Sequence, residues 1–342
     1  MPRLRRILVV GLLAASMLAG GGAAAQAKEN SPKAPKPPSC PTKLLVLSAM
    51  PVELDPLIAE LDLERTVEIN DRRFFVGRLR GNRVILAISG IGLLNATQTT
   101  EDAFAHFRCR KQSAIGGVVF SGVAGGDWIG DVAVPTRWTD DLGETFFPVD
   151  EGMLAVAHQV AAPGAVTLTQ DVHVGDPACV CKDVPELTTV TATRIEHVPQ
   201  VVVGGDGTTS DPFNGRRLPC FPAGGDVFGC DPCKMPREDP PDAAAFATGI
   251  APFLDPGFFT GYFEAPPEAD PAYKAQDMES AAVARVAAAK GKPFIAFRGV
   301  SDGQGDPLML PGFPFQFFAY RTISAENAAT ATLGFLDRWA QR

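Results

Sequence analysis

Short apolar runs recur along the chain and alternate with stretches whose apolar positions return every three to four residues. KLLVLSAM (Lys43 to Met50) is continuously apolar and ends in a turn, as a strand buried on both faces requires. Val52 to Leu61 then takes helical spacing. RRFFVGRLRGNRVILAISG, from Arg72, holds two strand-like runs joined around Gly81-Asn82, which predicts a hairpin. Leu93 to Phe107 is a predicted helix, and AIGGVVFSGVAGG, from Ala114, is a strand opening into a glycine turn. GDVAVPTRWTDD, from Gly130, and VPQVVVGGDG, from Val198, each add a strand. Further on, Glu279 to Lys290 predicts a thin, alanine-rich helix stopped by Gly291, and Pro293 to Val300 the next buried strand. Alternation of this kind predicts an α/β sandwich around a parallel or mixed sheet. In such sheets ligands sit beyond the carboxyl ends of the strands. The polar features expected there are Glu53, Ser89-Gly90, Val123 to Gly126 and Ser301-Asp302.

The two ends of the periodic region change the picture of where the protein works. Arg3, Arg5 and Arg6 precede an apolar run from Ile7 to Leu18 and small residues ending Ala25-Gln26-Ala27, the pattern of a secretory signal peptide over 1–27. Lys28 to Pro41 is rich in Pro and Lys and reads as a tether, with the folded domain expected over 42–342. Export, to the periplasm or the medium, is therefore expected, with no membrane association once the leader is cleaved. Losing the leader arginines moves the formal charge from -8 to about -11, which argues against nucleic acid or an anionic membrane as partner. Residues 216–275 break the alternation; dense in Pro, Gly, Asp and Phe, they read as an irregular insertion. Five of the seven cysteines fall between Cys179 and Cys233 (Cys179, Cys181, Cys220, Cys230, Cys233), with Cys40 and Cys109 outside. In an exported chain that cluster predicts disulfides, with a four-cysteine zinc site as the alternative and at least one odd thiol either way.

SAMPVE at Ser48, SGIG at Ser89, GVAGG at Gly122 with GD at Gly130, DMES at Asp277 and FRGVSD at Phe297 occur in one order. Together they resemble the nucleoside phosphorylase/nucleosidase superfamily, and within it the methylthioadenosine/S-adenosylhomocysteine nucleosidases. The resemblance spans Lys43 to about Asp302 and weakens between Val149 and Ala275. It implies a three-layer αβα sandwich with a central mixed sheet, a purine nucleoside as substrate, no cofactor, no catalytic metal, and a homodimer or higher homo-oligomer.

Breaking an N-ribosidic bond places positive charge on the sugar and negative charge on the leaving base, so an acid, a sugar-holding acceptor and a nucleophile are needed. By resemblance Asp302 is the acid that protonates purine N7, oriented by Ser301. A carboxyl group can do this near neutrality only if burial or a neighbouring charge raises its pKa. Glu279 accepts from the ribose hydroxyls, Met278 packs on the sugar, and Asp277 is expected as an N-cap. Glu53 activates water, with Arg298 holding that water or Glu53 itself. Phe213 stacks on the base, and Ser89, Ala124 and Gly125 complete the substrate site. A carboxylate at Glu53, in a turn without arginine, favours water over phosphate as nucleophile. A phosphorylase, with Ser89-Gly90 among the phosphate contacts, and a non-catalytic exported binding or storage protein are the competing expectations. Two departures stand out: Val123 occupies a place where the nucleosidases carry serine, and Thr209 to Phe213 lacks the glycine of the usual base-binding segment.

Overall fold

Every side chain of strand β1 (Lys43–Ser48) after Lys43 is buried, so its apolar run can only sit inside a sheet. In the computed structural model, which describes residues 40–141, 143–173, 193–219, 225–230, 270–310 and 312–342, β1 lies between two parallel neighbours. The elements that follow are α1 (Pro51–Ile58), β2 (Asp62–Ile69), β3 (Arg72–Leu79), β4 (Asn82–Ile88) and α2 (Leu93–His106). Next come β5 (Arg108–Cys109), β6 (Gln112–Ser113), β7 (Ile115–Trp128), β8 (Val132–Val134), β9 (Arg137–Thr139), β10 (Phe147–Pro148) and α3 (Glu151–Val160). β11 (Asp171–Val172), β12 (Thr193–Arg194), β13 (Val201–Val203), β14 (Asp206–Thr209) and α4 (Gly225–Phe228) precede β15 (Tyr273–Asp277). α5 (Ser280–Ala289), β16 (Phe294–Gln304) and α6 (Gly312–Trp339) complete the described chain.

The main sheet runs β10-β9-β14-β15-β7-β1-β4-β3-β2, with β16 beside β7 and β8, and β13 beside β8. β1 pairs in parallel with β4 and β7, and β16 in parallel with β7, whereas β3 is antiparallel to both β2 and β4, and β15 is antiparallel to β7. The sheet is therefore mixed, with helices packed on it, in agreement with the expected α/β sandwich. The predicted hairpin is β3–β4, closed by Arg80-Gly81, both at positive φ (47° and 77°). That backbone suits the twist of a two-residue turn. A second such turn, Asn70-Asp71, adds β2, a mostly exposed edge strand that the apolar pattern did not announce.

β7 is the spine. Its first half pairs with β1, its far end with β15, and most of its length with β16. α6 covers β16 and β7, and it approaches β16 so closely that a Cβ on Gly299 would lie 1.9 Å from the Ser324 carbonyl oxygen. Cys40 is joined to Cys109 with a Cα–Cα distance of 5.8 Å, tying the segment before β1 to the small β5–β6 hairpin. Cys40, assigned to the tether on sequence, is thus attached to the fold by a covalent bond. Cys230 is a buried free thiol. The leader, residues 28–39 of the tether, Cys179, Cys181, Cys220, Cys233 and most of the 216–275 insertion lie outside the described residues.

Candidate active site

Register brings the polar positions together. Ser48 lies beside Ile88, Leu47 beside Phe120 and Arg298 beside Gly122, so the ends of β1 and β4 lie close to the middle of β7 and β16, which run on past them. β1 turns directly into α1, whose first turn carries Glu53. The Glu53 carboxylate is 1% exposed; Oε2 accepts from Ala49 N (2.6 Å) and Met50 N (2.9 Å), and Oε1 from Val123 N (2.7 Å). Val123 therefore contributes a backbone N–H where the expected serine would have offered a hydroxyl. Gly122 is required here, since a Cβ on it would stand 2.4 Å from Glu53 Oε1 and 2.7 Å from Arg298 Nη1. Burial pushes the Glu53 carboxyl up, while Arg298 and the three N–H groups pull it back.

β15 ends at Asp277 and α5 begins at Ser280, with Glu279 as the residue before its first turn. Glu279 Oε1 accepts from Gly92 N at 2.8 Å, and Oε2 faces Arg298 Nη2 at 3.3 Å. Arg298 Nε lies 3.1 Å from Asp277 Oδ2, and its guanidinium sits over the Phe120 ring at 4.7 Å. Arg298 was expected to hold the attacking water or Glu53; its ion pairs are to Asp277 and Glu279, while its charge also acts on Glu53. The reason is that β15 and α5 deliver two carboxylates to its edge, whereas Glu53 is already held by backbone donors.

Burial is the main cause that pushes Glu279 up to about 8; Asp277 and Glu53 add to it, and Arg298 and the Gly92 N–H oppose it. Glu279 thus keeps its proton to a higher pH than an ordinary carboxyl group.

Asp277 is not the N-cap. From two residues further out, its Oδ1 accepts from Glu279 N and Ser280 N, each at 3.1 Å, and from the Thr209 hydroxyl at 2.6 Å. Thr209 Oγ1 in turn accepts from Ala281 N at 2.9 Å. Thr209, expected in a base-binding segment, shares in closing the start of α5. Both residues fall in motifs read from the sequence, the Thr209 to Phe213 segment and the SGIG turn at Ser89, but neither of these contacts was read from them. The phase of β14 into the site could have flagged the first, and the Gly-Ile-Gly turn before α2 the second.

Asp302 lies three register positions along β7 from the Glu53 anchor, opposite Gly125, where the β16–β7 ladder is irregular on both sides. It is half-buried, and burial pushes it up to about 6 against the pull of the Ser301 hydroxyl, which donates to Oδ2 at 3.2 Å. Ser301 Oγ also faces Ala124 O at 3.4 Å, and a Cβ on Gly125 would lie 3.0 Å from Asp302 Oδ2. Ser301 and Gly125 thus lie against Asp302, with Ala124 O facing the Ser301 hydroxyl.

Met278 is half-buried between Asp277 and Glu279. Phe213 is buried with its ring edge against Gly92, where a Cβ would come within 2.9 Å of it. This places Phe213 beside the Glu279 anchor. Ser89 is buried, its hydroxyl donating to Gly90 O at 2.9 Å and its carbonyl accepting from Thr99 Oγ1 at 3.0 Å. A narrow recess next to these groups is lined by Ala49, Gly90 and Ile91 below and by Leu218, Pro219, Val227 and Gly229 above. Among the described residues no cluster of His, Cys, Asp or Glu has the arrangement to hold a metal ion.

The family model described as the phosphorylase superfamily matches residues 43–223. The protein Rv2293c of Mycobacterium tuberculosis is 46% identical over 205 residues, covering 58% of this chain and 79% of that protein. The fold is shared with 5'-methylthioadenosine/S-adenosylhomocysteine nucleosidase from Neisseria meningitidis (TM-score 0.52, 19% identity, 87% of this chain and 99% of that one). Futalosine hydrolase of Helicobacter pylori is similar in the same way (TM-score 0.51, 19% identity, 87% and 98% covered). With more than half of its residues matched by one family model, the chain belongs to the phosphorylase superfamily.

Proposed function

We propose that this protein is an exported purine-nucleoside N-ribosyl hydrolase of the methylthioadenosine/S-adenosylhomocysteine nucleosidase type. The observation that carries the reading is the placement of Glu53 and Asp302 along one strand, β7. Gly122 faces the first and Gly125 the second. Three residues of strand span ~10 Å, room for a sugar beside Glu53 and Glu279 and a base beside Asp302. Glu53 removes a proton from water, and Glu279 and Arg298 hold the ribose end. Asp302, kept partly protonated by burial, gives its proton to the base as the bond breaks.

Water is favoured over phosphate because the proposed nucleophile site is carboxylate-rich. Glu53, Glu279 and Asp277 surround the single guanidinium of Arg298, and a phosphate dianion would meet net negative charge. Export is supported by the leader-like N-terminus and by the Cys40–Cys109 disulfide, since such bonds persist in oxidising compartments.

Purified protein incubated with methylthioadenosine, adenosine and inosine, with and without inorganic phosphate, tests the reading by release of free base. Release without phosphate is expected. A strict phosphate requirement would replace the reading with a phosphorylase, and tight nucleoside binding without turnover would replace it with a binding protein.

A further inference from the structure

β16 loses its regular pairing where Asp302 sits. Its register against β7 shifts between Val300 and Asp302 and again between Asp302 and Gln304. A bulged strand end has no ladder on both sides to fix its side chain direction. The support comes instead from α6.

Gln316 is 8% exposed, and its Oε1 accepts from Gly303 N at 3.0 Å, the peptide immediately after Asp302. Its Nε2 donates to Asp306 Oδ2 at 3.2 Å. Asp306 also accepts from Leu308 N (2.7 Å) and Leu310 N (2.6 Å), and from the hydroxyl of the fully buried Tyr320. The loop after Asp302 is thereby closed onto α6 by one carboxylate, with Gln316 linking it back to the strand. Further along α6, Ser324 Oγ donates to Val300 O at 2.7 Å, so the helix grips β16 on both sides of Asp302. The opposite face of this turn has no slack: a Cβ on Gly303 would meet Gly126 O at 2.5 Å.

We propose that Gln316, braced by Asp306, is a positioning residue that fixes the peptide after Asp302 and thereby aims the Asp302 carboxyl at the leaving base. This rests on Asp302 acting as the proton donor. A buried amide satisfied at both ends is costly to leave half-paired, so its removal lets the bulge relax.

The test compares a purine nucleoside with a nitrophenyl riboside, whose leaving group needs no proton. Gln316→Leu is expected to lower kcat on the nucleoside ~10-fold or more, a fraction of the usual acid-catalysis effect. KM on the nucleoside and turnover of the nitrophenyl riboside should stay near the parent values. Gln316→Glu keeps the acceptor for Gly303 N and, only when protonated, can still donate to Asp306, so it should recover part of the loss as the pH is lowered; it also serves as the variant to read if the leucine form does not fold. Equal losses on both substrates, or no loss on either, would overturn the positioning role. Asp302→Asn run in parallel separates the two ideas. If it shows no selective loss on the nucleoside, the acid reading itself fails. If it does and the Gln316 variants are silent, only the positioning role fails.

Discussion

At the proposed sugar end, Glu53 and Glu279 are almost fully enclosed and accept from the backbone of Ala49, Met50, Val123 and Gly92, while Arg298 bridges Asp277 and Glu279. At the proposed base end, half-buried Asp302 receives one side-chain hydroxyl, from Ser301, and sits on an irregular strand. The first region is a knot of buried carboxylates around one guanidinium; the second is a single group left with spare hydrogen-bonding capacity. A carboxyl that must hand over a proton cannot be saturated with donors, because each donor would lower its pKa and occupy a lone pair. Glu53 has to take a proton rather than give one, and its three N–H donors serve that role by pulling its carboxyl back down against burial. Mutation should therefore damage the two ends in different ways.

The largest contrast lies between Asp302→Asn and Arg298→Met. Asparagine has the shape of aspartate but no proton to transfer. Turnover of a purine nucleoside should fall ~10²–10⁴-fold, with the melting temperature nearly unchanged. Arg298→Met leaves Asp277 and Glu279 buried without their cation and should cost ~3–5 kcal/mol of stability in denaturant titration. If Arg298→Met were as stable as the parent, the knot would not be structural. If Asp302→Asn lost stability and turnover together, the base end would be no different in kind from the sugar end.

The same contrast sets a pH dependence of intermediate size. Asp302 works protonated and its carboxyl is pushed up to about 6, so kcat/KM should fall tenfold per unit as pH rises through that value, while a separate acidic limb marks the pH at which Glu53, the base, takes up a proton. Glu279, pushed up to about 8, ionises over a higher range, so the loss between these values reports on Asp302. Stability carries the same sign. Between 3.8 and about 6 the folded chain holds a proton that the unfolded chain releases, so this group's contribution shrinks as pH rises. An Asp302→Asn variant whose residual activity keeps the limb near 6 would assign that limb to another group.

How much of this was legible in the sequence follows from the physics of each element. β1, β4, β7 and β16 were readable because strands buried on both faces must be apolar throughout, and their polar ends marked Glu53, Ser89 and Asp302. The long helix α6 was not read, because its alanines interleaved with Ser324, Asn327 and Thr332 blur the apolar stripe. Those polar residues are buried and bonded to the sheet or its loops, so their environment is set by tertiary contact alone. Asp277 was seen but misassigned: turn chemistry suggested an N-cap, while its bonds to Thr209 and Arg298 depend on β14 and β16 arriving beside it. The ion pairs of Arg298 to Asp277 and Glu279 were not read for the same reason, the expectation there being a water or Glu53. Order along the chain exposed the residue set, and sheet register decided who touches whom.

The smallest expected effect probes the seam between the two ends, at Gly92. This residue has φ 94°, donates its N–H to Glu279 Oε1, and has the Phe213 ring 2.9 Å from where a Cβ would be. Gly92→Ala asks an L side chain to adopt an extended positive-φ backbone (φ 94°, ψ 161°) that is nearly glycine-only, at ~1–3 kcal/mol, and pushes against Phe213. Two responses are open to the chain. If Phe213 yields and the backbone holds, the Gly92–Glu279 bond survives, stability drops by about that strain, and nucleoside KM changes little. If the backbone turns instead, the N–H leaves Glu279 and the sugar acceptor loses its aim, so KM should rise several-fold while the acid step at Asp302 is untouched. The enclosed packing of Glu279 favours the second outcome. Measuring KM, kcat and the alkaline limb on this one variant checks it. A raised KM with unchanged kcat and an unshifted limb would show the two ends to be separable. A shift of the limb would show that Asp302 feels the sugar end after all.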